Sequence, residues 1–167
     1  MKLRAIVLGL AVLGVSAATA YAASTRAEYV AQVDPICQIE QGRAKAAHRS
    51  YKNRIRPFLK SHVEPLPKAA VRIYVRYEDE VVRIRRSADT QILTIPPASG
   101  DEDTVSQWLR LRGAATTFLK RSTQAVSEGN SERAGQLFTK ANDREFKAEI
   151  LVQDFGFNYC TPFISND

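Results

Sequence analysis

Residues 34–60 read DPICQIEQGRAKAAHRSYKNRIRPFLK, and this stretch decides the fold. In it and just before it, apolar side chains return at spacings typical of one face of an α-helix. These positions are Val33, Cys37, Ala44, Ala47, Tyr51 and Phe58. Basic side chains follow the same rhythm on another face, at Lys45, Arg49, Lys52, Arg56 and Lys60. The stretch therefore predicts a long amphipathic helix that needs apolar partners on one side and presents cations on another.

Local signals indicate where this first helix begins and ends. Thr25 and Glu28 form a T-x-x-E capping box, which predicts a helix start directly after Thr25. Asp34 is a good N-cap residue and Pro35 a good first helical residue, so we expect a break or kink at this point. Pro57 predicts that the helix bends or ends there.

Three further amphipathic helices follow along the chain. The second is predicted at about residues 67–90, with apolar side chains again three and four residues apart. The acidic run 101–103 opens the third, where carboxylates oppose the positive end of the helix dipole. Gly129 is expected to end the third helix, and Asn130 or Ser131 to cap the fourth.

The apolar face of the fourth helix is interrupted by a charge. Arg144 breaks the seam, so Phe138, Phe146 and Ile150 are expected to pack in a shifted phase. Four amphipathic helices with short connections bury their apolar faces best as an up-down-up-down bundle. Residues 23–167 are therefore predicted to form one all-α, four-helix antiparallel bundle with a kinked N-terminal helix.

The chain begins with the features of a secretory signal peptide at residues 1–22. Two basic residues precede an apolar run, and small residues lead to an A-x-A site that ends at Ala22. An earlier A-x-A site ends at Ala20, and an uncleaved membrane anchor is the alternative, because the apolar stretch is barely long enough to span. We predict an extracytoplasmic protein (secreted, periplasmic or associated with the cell envelope) with no transmembrane segment after cleavage.

Cys37 and Cys160 are the two cysteines of the chain. In an exported protein, pairing is the default because the compartment is oxidising. In an up-down bundle the start of the first helix and the end of the last share one pole, which brings the two residues together. A free reactive thiol and a metal site are the alternatives, but a redox site usually offers C-x-x-C and a metal site needs more ligands. The sequence therefore predicts a structural disulfide.

The sequence contains no recognised catalytic or cofactor motif. The patterns C-x-x-C-H, G-x-S-x-G and H-E-x-x-H and the P-loop are absent. His48 and His62 lack the glutamate three residues earlier that a di-iron bundle uses, and the one methionine is Met1. Residues 78–80 are consecutive acids that diverge around a helix axis, so we expect them to be solvated beside arginines. We therefore predict no cofactor, no metal and no catalysis, and an enzyme or redox protein with an unrecognised site stays open as an alternative.

Positive charge is concentrated in residues 43–86. The whole chain has 24 Lys and Arg against 18 Asp and Glu, a net charge of +6, and this segment alone has 13 basic and 4 acidic residues. A second basic row on the second helix consists of Arg72, Arg76, Arg83 and Arg86. We interpret both rows as a surface for an anionic partner, either an envelope polymer, lipid headgroups or an acidic protein. An ordinary solvated helix face is the alternative, and export without a recognised binding motif argues against nucleic acid.

These features favour an exported, non-enzymatic protein that binds through the basic faces of its first two helices. The alternative from another class is a structural or interaction protein, such as a holdase that binds apolar segments of other exported proteins. Salt separates these two functions, because counter-ions weaken charge-driven binding and leave apolar capture intact.

Three short motifs carry a resemblance to known proteins. They are Tyr29-x4-Asp34-x-Ile36-Cys37, Trp108-Leu109 and Phe155-Gly156-Phe157-x-Tyr159-Cys160. Together the motifs resemble those of uncharacterised small exported helical proteins, some of them lipid-anchored, from high-GC Gram-positive bacteria. The resemblance covers nearly the whole mature chain and implies a helical domain with a terminal cysteine pair, but no activity. Pro35 and the absence of a lipid-attachment cysteine depart from that pattern.

Overall fold

The computed structural model describes residues 25–59 and 67–160, and this part of the chain is helical and contains no strand. Its helices are α1 (Arg26–Leu59), α2 (Lys68–Ile92), α3 (Glu102–Ser127) and α4 (Ser131–Val152), with a short 3-10 turn at Gln153–Phe155. The predicted all-α class is confirmed for these residues. None of these helices combines the length and apolarity that crossing a bilayer requires. The predicted signal peptide, residues 1–22, lies outside the described residues.

Side-chain and glycine caps are present at the helix ends where the sequence predicts them. At the start of α1, the Glu28 N–H donates to Thr25 Oγ1 at 3.2 Å, and the Glu28 carboxylate accepts from the Thr25 N–H at 2.8 Å. At the end of α3, Gly129 has a φ of 76° and donates its N–H to the Val126 carbonyl at 3.0 Å. Asn130 caps α4 by accepting a backbone N–H at 3.0 Å. Local chemistry thus defines these boundaries.

α1 runs without interruption through both of its prolines. Pro35 and Pro57 lie inside the helix, which ends at Leu59. A break at Pro35 and an end before Pro57 are therefore wrong, whereas a kink at Pro35 and a bend at Pro57 stay predictions. Packing explains the continuity, because Val33 and Cys37, on either side of Pro35, are both buried and hold the helix against the core.

The main hydrophobic core lies where the ends of all four helices meet. Its buried members are Tyr29, Val33 and Cys37 of α1, Ile92 of α2, Val105 and Trp108 of α3, Ala148 and Val152 of α4, and then Phe155 and Cys160. Tyr29 and Trp108 are almost completely buried and bring the largest apolar surfaces. This core joins the start of α1, the end of α2, the start of α3 and the end of α4.

A disulfide joins Cys37 to Cys160 within this core, as predicted, with the two Cα atoms 5.0 Å apart. The carboxylate of Asp34 holds the chain next to the bridge. It accepts the backbone N–H of Asn158 at 3.1 Å and that of Tyr159 at 2.8 Å. Asp34 therefore binds the end of the described chain instead of capping a helix, the role its local sequence predicts.

α4 keeps one inward face along its whole length. Its buried residues are Ala134, Ala141, Ala148 and Val152. Phe138, Phe146 and Ile150 are instead 45%, 58% and 46% exposed, so the predicted shift of phase is wrong. The gap in the seam is filled by Glu145, whose carboxylate pairs with Arg85 of α2. Because a charge can face inward with a partner, the helix has no need to rotate.

Candidate functional site

The predicted basic residues occupy exposed positions on α1 and α2. On α1 they are Lys45, Arg49, Lys52 and Arg56, and on α2 they are Arg72, Arg76, Arg83 and Arg86. Lys60 lies outside the described residues. Exposure is required of a binding surface and of an ordinary solvated face alike, so pairing with acids is the more informative property.

Most of these exposed cations have no acidic partner among the residues that the structure describes. Arg83 is the exception, because its Nε donates to Glu80 of the same helix at 2.9 Å. In the part of the chain that the structure describes, the other seven have no carboxylate within ion-pair distance. By contrast, Arg26, Arg85 and Arg112 each pair with a carboxylate. The unneutralised charge of α1 and α2 therefore belongs largely to the residues that the sequence singled out.

A surface groove lies between the start of α2 and the end of α3, and we call it the α2–α3 groove. Its volume is about 650 Å³, which falls within the range of about 300–1,000 Å³ that is typical of ligand pockets. Its lining includes the half-buried Val71, Val75 and Val126 and the exposed Lys68, Arg72 and Arg76. Two of the predicted basic residues thus border a concave apolar surface, which the sequence did not indicate.

A partly buried ionic network connects all four helices. Arg112 of α3 donates from Nη2 to Glu40 of α1 at 2.8 Å and from Nε to Asp89 of α2 at 2.7 Å. Arg85 of α2 donates to the two carboxylate oxygens of Glu145 of α4 at 2.6 and 3.0 Å. Every helix contributes a charged side chain to this network, in which Glu40 and Arg112 are buried and the others partly buried.

The carboxyl group of Glu78 lies in an aromatic cluster between α1 and α2. Tyr51 of α1 stacks on Tyr77 of α2 with ring centroids 4.7 Å apart, and Tyr74 lies 6.2 Å from Tyr51. The His48 ring lies 5.7 Å from that of Tyr77. Burial raises the pKa of Glu78 to about 6, although the hydrogen bond from Tyr74 opposes the rise. The pKa of this carboxyl group is therefore well above the ordinary value for a glutamate.

The expectation that residues 78–80 are all solvated is wrong for Glu78, which is only 7% exposed. It holds for Asp79, which is exposed, and Glu80 pairs with Arg83 at the surface. Consecutive side chains diverge by about 100° around a helix, so one member of an acidic triplet can turn inward while its neighbours stay in water.

The buried charges left a signal in the sequence. Glu40 follows Cys37 by three residues, so it falls on the apolar seam, and Arg112 follows Trp108 by four. A charged residue on the apolar face of a helix indicates burial with a partner, since an unpaired buried charge is costly. The spacing within one helix, however, does not show which other helix supplies that partner.

The geometry separates a structural interior from a surface that a ligand can reach. Glu40, Asp89 and Glu145 accept hydrogen bonds from guanidinium groups, and none of the three lines the α2–α3 groove. Within residues 25–59 and 67–160, no three His, Cys, Asp or Glu side chains are arranged to hold a metal ion. The exposed cations and the groove beside them are therefore the candidate site.

Comparison of the chain with protein-family models, curated proteins and solved structures finds no match. The functional conclusion therefore depends on the chemistry of the chain's own residues.

Glu78→Gln is expected to stabilise the protein at pH 7 and to have little effect near pH 4. The folded pKa of about 6 lies above the ordinary value of 4.5, so the folded state holds this proton more tightly than the unfolded state. The associated stability is complete below about pH 4.5 and is lost as the pH rises through about 6. The difference amounts to about 2 kcal/mol, and urea unfolding of both proteins across this pH range measures it.

Glu80→Gln is the matched control for this experiment. Glu80 is on the same helix, but the hydrogen bond from Arg83 lowers the pKa of Glu80. The small contribution of Glu80 to stability therefore has the opposite pH dependence: it is present near neutral pH and is lost towards acid pH. A stability difference between the Glu78→Gln variant and the wild type that does not change with pH would contradict the assignment of the raised pKa to Glu78.

Proposed function

We propose that the protein is an exported, non-enzymatic helical-bundle protein that binds an anionic component of the cell envelope through the exposed cations of α1 and α2. The observation that carries the proposal is the absence of acidic partners for seven of these cations among the described residues. Unpaired cations on adjacent helices create a positive local potential that attracts anionic polymers and headgroups. The same charges, if paired as in Arg83, would contribute little to binding.

The proposal also includes export from the cytoplasm and an up-down-up-down arrangement of the four helices. The disulfide supports an oxidising compartment, and the basic, then apolar start of the chain supports a signal peptide. An up-down-up-down arrangement is supported by the main core, to which α1 and α3 contribute their starts and α2 and α4 their ends. Each helix also packs against the next one along the chain, as short connections in such a bundle require.

Binding to anionic vesicles tests the function directly. The triple variant Lys45→Glu, Lys52→Glu and Arg76→Glu is expected to bind phosphatidylglycerol-containing vesicles at least about 100-fold more weakly than the wild type, since each basic residue near an anionic surface contributes about 1 kcal/mol. Vesicle co-sedimentation at low and high salt measures this, and wild-type binding is expected to weaken as salt screens the charges.

The matched control carries the same change of net charge on the other two helices. Lys120→Glu, Arg121→Glu and Lys140→Glu replace exposed cations of α3 and α4, and this variant is expected to retain most of the binding. Equal losses in the two triple variants would show that net charge alone drives association and would contradict a role for the faces of α1 and α2. If the wild-type protein binds an acidic protein in a salt-dependent way but does not bind the vesicles, the anionic partner is an acidic protein and not a lipid surface.

A second candidate function is the capture of apolar segments by α4. It is favoured by the exposure of Phe138, Phe146 and Ile150, which are spaced by multiples of four residues and therefore lie along one side of the helix. Such binding would persist at high salt, and Phe146→Ser together with Ile150→Ser would abolish it without changing the binding of vesicles.

A further inference from the structure

We propose that the α2–α3 groove is a specific site for a fatty acid, that is, one acyl chain with a carboxylate head. This inference rests on the proposed function for the sign of the ligand charge, and it adds an apolar chain and a defined place on the molecule. The two ideas can fail separately, because a fatty-acid monomer in solution and a vesicle surface are different probes.

The arrangement of side chains along the start of α2 suits an amphiphile. Lys68, Arg72 and Arg76 succeed one another at intervals of four and therefore form one row along the helix. Val71 and Val75 form a parallel row beside it, and they line the groove together with Val126 of α3. An acyl chain placed between the helices would contact the valines while its carboxylate reaches the adjacent cations.

Charge within the groove is unbalanced in favour of an anionic head. The lining contains three cations and one acid, Glu128. The carboxylate of Glu128 accepts a hydrogen bond from Gln124 Nε2 at 2.8 Å and forms no ion pair with the described cations of the groove. Because the long side chains of Arg72 and Arg76 are exposed, they can fold their apolar stems over a bound chain and keep the guanidinium groups at the head.

The dimensions of the groove favour a single acyl chain over a larger ligand such as a peptide helix. The stretch from Lys68 to Arg76 comprises nine residues of α2, whose eight steps give a length of about 12 Å at the rise of an α-helix, which is short for docking a peptide helix. The volume of about 650 Å³ is that of a small-molecule pocket. An anionic polymer would use the exposed cations without needing the valines, so the apolar row distinguishes the fatty acid from other anions.

Calorimetric titration of the wild-type protein with monomeric dodecanoate tests this site. Dodecyltrimethylammonium, with the same chain and the opposite charge, and inorganic phosphate, with charge and no chain, are the control ligands. Dodecanoate is expected to bind at least about tenfold more tightly than either control, since both the chain and the charge contribute. Equal binding of dodecanoate and phosphate, or of the two dodecyl compounds, would overturn the proposal.

Two variants in the groove and one control variant on α1 locate the binding of dodecanoate. Arg72→Ala with Arg76→Ala is expected to weaken dodecanoate binding about tenfold, because each exposed charge pair contributes only modestly to affinity. Lys45→Ala with Arg49→Ala removes two exposed cations of α1 outside the groove and is expected to change the affinity for dodecanoate less than twofold. Val75→Thr keeps the size of the side chain but replaces a methyl group of the apolar row by a hydroxyl. It is expected to weaken the binding of dodecanoate and to leave the binding of vesicles unchanged. Dodecanoate affinity that is unchanged in both groove variants would overturn the proposal, even if vesicle binding and its salt dependence remain.

Discussion

Replacing Arg112 by methionine is expected to lower the free energy of unfolding by about 3–5 kcal/mol, the usual cost of removing one partner from a buried ion pair. The loss is large because the substitution leaves two carboxylates, those of Glu40 and Asp89, in the interior without their shared cation. Urea or thermal unfolding of wild type and variant at neutral pH gives the difference directly.

The surroundings of Arg112 explain why this arginine matters more than others. Its side chain is only 8% exposed, and its guanidinium carbon lies 5.3 Å from the centroid of the Trp108 ring. Burial by itself would lower the pKa of Arg112, but the charges of Glu40 and Asp89 outweigh that effect and hold the pKa above its ordinary value. The charged form is therefore built into the contact between α1, α2 and α3.

Arg83→Met is the matched control, because Arg83 also donates to a carboxylate but does so in water on the surface of one helix. It is expected to cost less than about 1 kcal/mol. Adding Glu40→Met and Asp89→Leu to Arg112→Met is expected to recover most of the loss, since replacing a whole buried ion pair by apolar groups is often neutral. Similar losses for Arg83→Met and Arg112→Met would contradict a desolvated network.

The helices could be predicted from sequence because their signals are local. The capping box of Thr25 and Glu28 and the glycine at position 129 act within one turn, and the apolar rhythm of each helix requires no knowledge of its partner. These features account for the all-α class and for the helix boundaries that agree with the structure. The cysteine pair could be predicted as well, because the predicted compartment and the predicted bundle topology both point to it.

Contacts between distant parts of the chain could not be predicted in the same way. Asp34 has the local sequence of a helix cap, yet its hydrogen bonds reach residues 158 and 159. The carboxylate of Glu145 on α4 pairs with Arg85 of α2, and the local pattern of α4 does not indicate that partner. The α2–α3 groove likewise depends on how two helix ends are spaced, which the pattern of either helix alone does not contain.

Removing the disulfide by Cys37→Ala and Cys160→Ala is expected to lower the free energy of unfolding by up to about 4–5 kcal/mol, the chain-entropy value for a loop of this length. The bridge closes a sequence separation of 123 residues, so it restricts nearly the whole described chain when unfolded. The dependence of the unfolding free energy on urea is also expected to steepen, because an unfolded chain without the cross-link exposes more surface. Alanine is the appropriate replacement, since both sites are buried and a serine hydroxyl would lack a partner.

The reduced wild-type protein is the control that separates the cross-link from the packing of the sulfur atoms, and its stability should lie close to that of the double variant.

The contacts that remain without the disulfide determine how firmly the residues next to Cys160 stay attached to the core. Asp34 still accepts from the backbone of Asn158 and Tyr159, and Phe157 still stacks on Trp108 with centroids 5.5 Å apart. Without the bridge, these contacts can open without global unfolding, so the amides of residues 158 and 159 should exchange hydrogen faster than those of the core. Unchanged protection of those two amides, together with a stability loss below about 1 kcal/mol, would mean that Asp34 and Phe157 hold the tail and that the disulfide merely accompanies them.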